Sequence, residues 1–322
     1  MRKRLFDGLD QGLGEEVLLL PDLPAPGGHG TYCSLCWALA RVLSLAGQPA
    51  STEWLMGLTG MAFMLSLGDH LQPDWDRPDA APSLPAGFTV LGSAPTDATE
   101  PGEAAVLSRC REQLRLGRAL AAQQPEGTWV VAVGLHGEAL LVQAPGSPRL
   151  YERQALPVRS VIGLGDLEPA TLEMEAGLEA LDRARELLDS HQAHWGTWAD
   201  ALSQHEPYGP EPERLERFLD EQLLVATVME AREAAAGFLA ELSAQADFEL
   251  AEALDAAAGA AERVVLALEQ LVESPEALGA ARVAEDAAWL ERRREAIRRA
   301  QDNDARLGAA LNAAVDSAGL FR

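Results

Sequence analysis

Lysine is almost missing from this chain. Lys3 is the only one among 26 basic residues, which face 50 acidic ones and leave a net charge of −24. Nucleic acids and anionic membranes both require a basic footprint, so this balance argues against either as a partner. Cysteine is scarce as well: Cys33, Cys36 and Cys110 in 322 residues exclude a disulfide scaffold. Long apolar runs are also lacking. The longest, from Trp54 to Leu67, is broken by Gly57, Thr59, Gly60 and Ser66 and falls short of the roughly 18–20 residues that a bilayer span needs. The run Val17–Leu20, behind the basic start Met1-Arg2-Lys3-Arg4, is cut by Pro21 and is too short for a secretory signal. The expectation is a soluble, cytoplasmic protein with reduced thiols.

What the chain does have is 48% apolar residues, enough for a sizeable core, and a length that suggests two domains. Charge and pattern change together near residue 165. Residues 1–165 carry a net charge of −5 and most of the prolines; residues 166–322 carry −19. The second part reads as long helices. Leu215, Phe218, Leu219, Val225 and Met229 follow a helical period, continued by Phe238, Leu239 and Leu242, and Leu254, Ala258, Ala261, Val265, Leu268 and Val272 form a second stripe. Pro212 and Pro275 sit where helices could start, with Ser274 as an N-cap. Such alanine-rich sequence packs as an antiparallel helical bundle.

The first part is mixed. Helical patterns cover Tyr32–Leu45, 52–67 and Arg109–Ala122; strand-like runs follow at Thr128–Leu135, Ala139–Gln143, Arg149–Glu152 and Val158–Leu164, joined by breaks short enough for hairpins. Pro73–Pro101 reads as an irregular excursion with one strand, Phe88–Leu91. The sum is an α+β domain, helices plus an antiparallel sheet, followed by an all-α bundle.

The chemistry-bearing segment is Gly30-Thr31-Tyr32-Cys33-Ser34-Leu35-Cys36-Trp37. A cysteine in the first turn of a helix feels the positive end of the helix dipole, which favours the nucleophilic thiolate. Gly27, Gly28 and Gly30 would allow close backbone approach to that helix start. A buried core cysteine, a Cys33–Cys36 redox pair and a zinc site completed by His29 are the competing readings. His191 and His194 share a helix face, but no carboxylate pattern completes a metal site there, so a solvated face or domain-interface packing is the better reading, with Trp195 and Trp198 packing the bundle against the first domain. The run Arg292, Arg293, Arg294, Arg298 and Arg299 is expected to pair with acidic helices, within the chain or across a homodimer. No P-loop or complete dinucleotide fingerprint is present, so no cofactor is expected.

Cys33, Cys36 and Trp37 resemble the nucleophile region of papain-like cysteine peptidases, with Ser34 and Leu35 departing from that pattern. The stretch from Trp54 to Phe63, together with Arg232, Glu233, Ala234, Ala235, Phe238 and Leu239, is similar to butirosin-biosynthesis-H-like domains and the helical domain fused to them. The resemblance implies a papain-like N-terminal fold, with Cys36 as nucleophile, His136 as general base, and Glu152, or second Gln143, orienting the imidazole. It implies amide hydrolysis or acyl transfer, from the thioester of an acyl carrier protein to an amine, on a small-molecule or peptide substrate. The family's oxyanion glutamine lies six residues before the nucleophile, where this chain has Gly30. Losing one such donor typically costs on the order of 10²–10³ in rate, so a catalytically inactive scaffold or binding protein is the alternative.

Overall fold

Alternating buried runs and helical stripes resolve, in the computed structural model, into seven α-helices and one antiparallel sheet of eight strands among the described residues. Those residues are 6–7, 17–20, 23, 32–65, 67, 84–85, 87–93, 101–125, 127–137, 139–147, 149, 151–154, 160–164, 174–204, 208–209, 213–272 and 287–319. The chain divides into two compact units. One comprises Met1–Leu55 and Leu84–Leu172; the other comprises Met56–Ser83 and Glu173–Arg322. Pro212, Ser274 and Pro275, expected near helix starts, lie outside the described residues, as does most of the Pro73–Pro101 excursion.

The first unit is α+β. Its strands are β1 (Phe6–Asp7), β2 (Val17–Leu19), β3 (Phe88–Ser93), β4 (Leu120–Gln123), β5 (Trp129–His136), β6 (Ala139–Gln143), β7 (Glu152–Gln154) and β8 (Ser160–Leu164). β5 organises the sheet. β4 pairs along its first half, Trp129–Ala132, and β2 along its second, Gly134–His136; β6 pairs along the opposite edge from Val131 to His136 and carries β7 beyond it. β8 and then β3 extend the sheet outward from β4. Gly134 has a steric reason to be glycine: a Cβ there would sit 2.3 Å from the Leu18 carbonyl oxygen. A bulge between Ala132 and Gly134 shifts the β5–β6 register by one residue, which resets the side-chain alternation in β5. Helix α1 (Ser34–Leu45) buries Leu35, Cys36, Trp37, Leu39, Val42 and Leu43, and α3 (Pro101–Arg115) buries Val106, Cys110 and Leu114.

Helix α2 (Thr52–Thr59) ends at Gly60, whose φ of 84° is left-handed, and the chain turns into a short 3-10 turn, Met61–Phe63.

The second unit holds α4 (Met174–Ala201), α5 (Arg214–Ser243), α6 (Phe248–Leu268) and α7 (Ala287–Ser317), with α5 on α6, α6 on α7 and α7 on α4. The Asp247 carboxylate caps α6 by accepting from the Leu250 amide at 3.1 Å. The segment after α2 packs with this unit. Gly57 lies so tightly against Phe238 that a Cβ would meet its ring at 2.1 Å. The unit's core stacks Trp195 on Trp198, both fully buried, with Tyr208, Phe218, Val228, Leu268 and Ile297 around them. Thus the two tryptophans fill the interior of the bundle itself.

Two buried ion pairs cross this core. Arg232 binds Asp304 through Nε to Oδ1 at 2.7 Å and Nη2 to Oδ2 at 3.2 Å; its Nη1 donates to the carbonyls of Ala62 and Met64, and Trp195 Nε1 donates to Asp304 Oδ2. Arg293 donates to Glu221 at 2.8 Å and to the Leu271 carbonyl, while Glu221 also accepts from Trp198 and Tyr208. The several hydrogen bonds to each charge offset part of the desolvation cost of burial. Within the arginine run, Arg293 pairs inward with α5, Arg294 and Arg298 pair with Glu291 at the surface, and Arg299 pairs with Glu295. Burial beside the Glu221 charge drives the Tyr208 hydroxyl pKa far up, so it remains a donor.

Candidate functional site

The α1 start is anchored to the sheet. Cys33 occupies the N-cap position without a side-chain cap bond, and Ser34, the first helical residue, uses its Oγ to accept the Trp129 amide at 3.0 Å. Further along, Arg41 Nε donates to Gln143 Oε1 at 2.8 Å, and Gln143 is fully buried opposite Val131. Burial also lowers the Arg41 pKa. Both anchors tie α1 to the Trp129–Val131 end of β5 and to the sheet face that carries Gln143.

Cys36 is the third residue of α1 and is 0% exposed. His136 closes the other end of β5, seven residues beyond Trp129, which is about 23 Å of extended strand. Directly paired residues present their side chains on one face. His136 pairs with Ala139, which shares its alternation with Leu141 and Gln143, so His136 stands on the α1 face of the sheet. Glu152 pairs with Val142 and so stands on the opposite face; its carboxylate accepts from Ser147 Oγ at 2.8 Å. The register therefore does not bring Glu152 to His136, and the α1 anchors hold the cysteine helix at the far end of the strand. Gln143 shares the His136 face, but its side chain is engaged by Arg41. Gly27, Gly28, His29 and Gly30 lie outside the described residues.

The other thiols are buried too: Cys33, Cys36 and Cys110 are all free cysteines. Burial pushes the Cys110 pKa up to about 11. Among the described residues no three His, Cys, Asp or Glu side chains group to hold a metal ion, and no helix is long and apolar enough to cross a membrane. His191 and His194 have a different occupation. Their rings stack at 5.3 Å, His191 Nδ1 accepts the Leu65 amide at 3.4 Å, and His194 Nδ1 lies 2.6 Å from the Leu65 carbonyl, which requires a proton on that nitrogen. His205 lies outside the described residues.

One feature that sequence reasoning missed is a cleft of about 820 Å³ on the other face of the sheet, between α3 and the β2–β5 pair. Ser108, Arg111, Glu112 and Arg115 occur at i, i+3, i+4 and i+7 and line one side; Leu18 and Leu135, paired across β2 and β5, line the other with Gly137. The available signal was a polar helical stripe beside the apolar stripe Val106, Cys110 and Leu114. Comparison with protein-family models, curated proteins and solved structures gives no match to this chain.

Proposed function

We propose that this chain is a non-catalytic binding protein, in which a papain-like arrangement of cysteine helix and antiparallel sheet serves as a scaffold. The observation that carries the reading is the full burial of Cys36 on a helix anchored at the end of β5 away from His136. A nucleophile must reach a carbonyl, and a general base must come within about 3 Å of the proton it takes. The opposite facing of Glu152 and the engagement of Gln143 by Arg41 support the same reading. Gly30 in the oxyanion position adds to it. We place the protein in the cytoplasm, where three free thiols stay reduced.

The test is incubation of the full chain with acyl thioesters of N-acetylcysteamine, followed by intact-protein and peptide mass spectrometry. No acyl adduct on Cys36 is expected. An adduct on Cys36 that disappears in His136→Ala would overturn the reading in favour of thiol-dependent acyl transfer.

A further inference from the structure

Helix α5 buries one side and carries leucines on another. Its core stripe includes Phe218, Val225, Val228, Ala235 and Phe238. Leu215, Leu219 and Leu223 lie outside that stripe and are 44%, 44% and 42% exposed. A single exposed leucine is ordinary. Three at i, i+4 and i+8 form one ridge, about 12 Å long at about 1.5 Å per residue, on a side of the helix where solvent favours polar residues. Gln222, on the same side, donates to the Leu271 carbonyl, which brings the exposed Val272 to this end of α5. Beyond Leu223 the character changes. Glu230 and Glu233 return to the same side of the helix. The Glu233 pKa is raised, first by partial burial and then by the charges of Glu230 and Glu269. This side of α5 is therefore apolar toward its start and anionic toward its end.

From this arrangement we infer that the exposed side of α5 docks an amphipathic helix of a partner protein, with apolar residues at i, i+4 and i+8 toward one end and arginine or lysine toward the other. Two helices meeting in this way interdigitate their side-chain ridges. Charge decides the occupant. Residues 166–322 carry −19, counted over the whole sequence, so a second copy of the chain presents the same acidic bundle and is repelled. An anionic membrane is turned away for the same reason. A cationic helix is attracted, and it relieves the crowding of like charge at Glu233. A helix of about 18 residues, about 27 Å long, spans the distance from Leu215 to Glu233. This inference goes beyond the non-catalytic reading and does not rest on it, because it concerns the helical unit alone.

The experiment is fluorescence anisotropy of the full chain with labelled peptides of about 18 residues. One has the basic amphipathic pattern just described, one has glutamate in place of each basic residue, and one is shuffled to the same composition with no apolar side. Sedimentation equilibrium of the chain alone gives its oligomeric state. Saturable one-to-one binding of the basic peptide is expected, at least tenfold tighter than either control and weakening as salt is raised. Leu219→Gln/Leu223→Gln should lose at least tenfold, and Glu233→Gln should lose several-fold with a shallower salt dependence, circular dichroism establishing that each is folded. If the double variant does not fold, Leu219→Gln alone should show a several-fold loss. No saturable binding of the basic peptide, equal binding of the shuffled peptide, or unchanged affinity in the folded leucine variants overturns the inference. Unchanged affinity and salt dependence in Glu233→Gln overturn the charge assignment. A dimer that Leu219→Gln/Leu223→Gln converts to monomer gives this side of α5 to a second copy and overturns the inference as well; a monomer supports it. The thioester experiment has a separate readout, so either result can fail alone.

Discussion

Replacing Asp304 by alanine removes a carboxylate that is 1% exposed and accepts three hydrogen bonds, two from Arg232 and one from Trp195. The guanidinium left behind is fully buried; only the Ala62 and Met64 carbonyls remain to it, and neither carries a compensating charge. Breaking a buried pair from one side costs about 3–5 kcal/mol, against about 5–15 kcal/mol for the stability of a whole protein. For a unit of this size each kcal/mol moves the melting temperature by about 2–4 °C, so a fall of about 6–20 °C is expected. Asp304→Asn keeps the shape and an acceptor oxygen, and should lose less. Arg232→Met with Asp304→Leu removes both charges and should recover much of the loss, though not the part owed to the Ala62 and Met64 carbonyls. The assay is urea unfolding followed by circular dichroism at 222 nm and by tryptophan fluorescence, since Trp195 touches the pair directly. A loss below about 1 kcal/mol for Asp304→Ala, the value of an exposed surface pair, would refute the claim that this network is desolvated.

Three further outcomes are expected. Gly57→Ala should destabilise by about 1–3 kcal/mol because its Cβ would meet the Phe238 ring at 2.1 Å; Phe238→Leu in the same chain should recover part of this, measured by the urea midpoint. Burial first, and then the charges of His194 and Arg232, outweigh Asp304 and lower the His191 pKa to about 4, below its ordinary value of about 6.5. The unfolded chain therefore takes up that proton first. This part of the stability is fully present above about pH 6.5 and is lost as the pH falls toward 4, by about 1–2 kcal/mol once partial exposure is discounted. The difference between wild type and His191→Gln, measured by urea unfolding across that range, should show it. Cys110, with its pKa pushed to about 11, should resist a thiol reagent at pH 8 in the native protein and react at once in denaturant, read by absorbance of the released thiolate.

Much of the fold was legible because it rests on local pattern. The run after Thr128 and the run Ala139–Gln143 are strands β5 and β6, and the apolar face of Tyr32–Leu45 is α1. The short partners β1, β2 and β4 were not legible. Two to four residues carry no period, and they are strands only because neighbouring strands lend them hydrogen bonds, β5 to β2 and β4, and β2 to β1. The helical pattern of Arg109–Ala122 runs on past Gly117, whose φ of 78° turns the chain before β4 begins. The break in charge near residue 165 could not show that Met56–Ser83 packs with the helical unit, because that association rests on distant partners: Arg232 for the Ala62 and Met64 carbonyls, and His191 and His194 for Leu65. Arg232 itself left a sign, a charge inside the stripe Val228, Ala231, Ala235. In the candidate site, the residue types could be chosen from sequence, but the face on which each stands could not. A one-residue bulge decides whether the end of β5 points up or down, and sequence alternation does not locate it.

The central claim is that Cys36 is a sealed structural thiol. The most direct measurement is the rate of Cys36 alkylation by iodoacetamide from pH 5 to 9, resolved by peptide mass spectrometry, in the wild type and in His136→Ala. Slow labelling at every pH, accelerated by denaturant and the same in both proteins, is the expected result. Rapid labelling near pH 6 that is lost in His136→Ala would reveal a working thiolate–imidazole pair and contradict the claim.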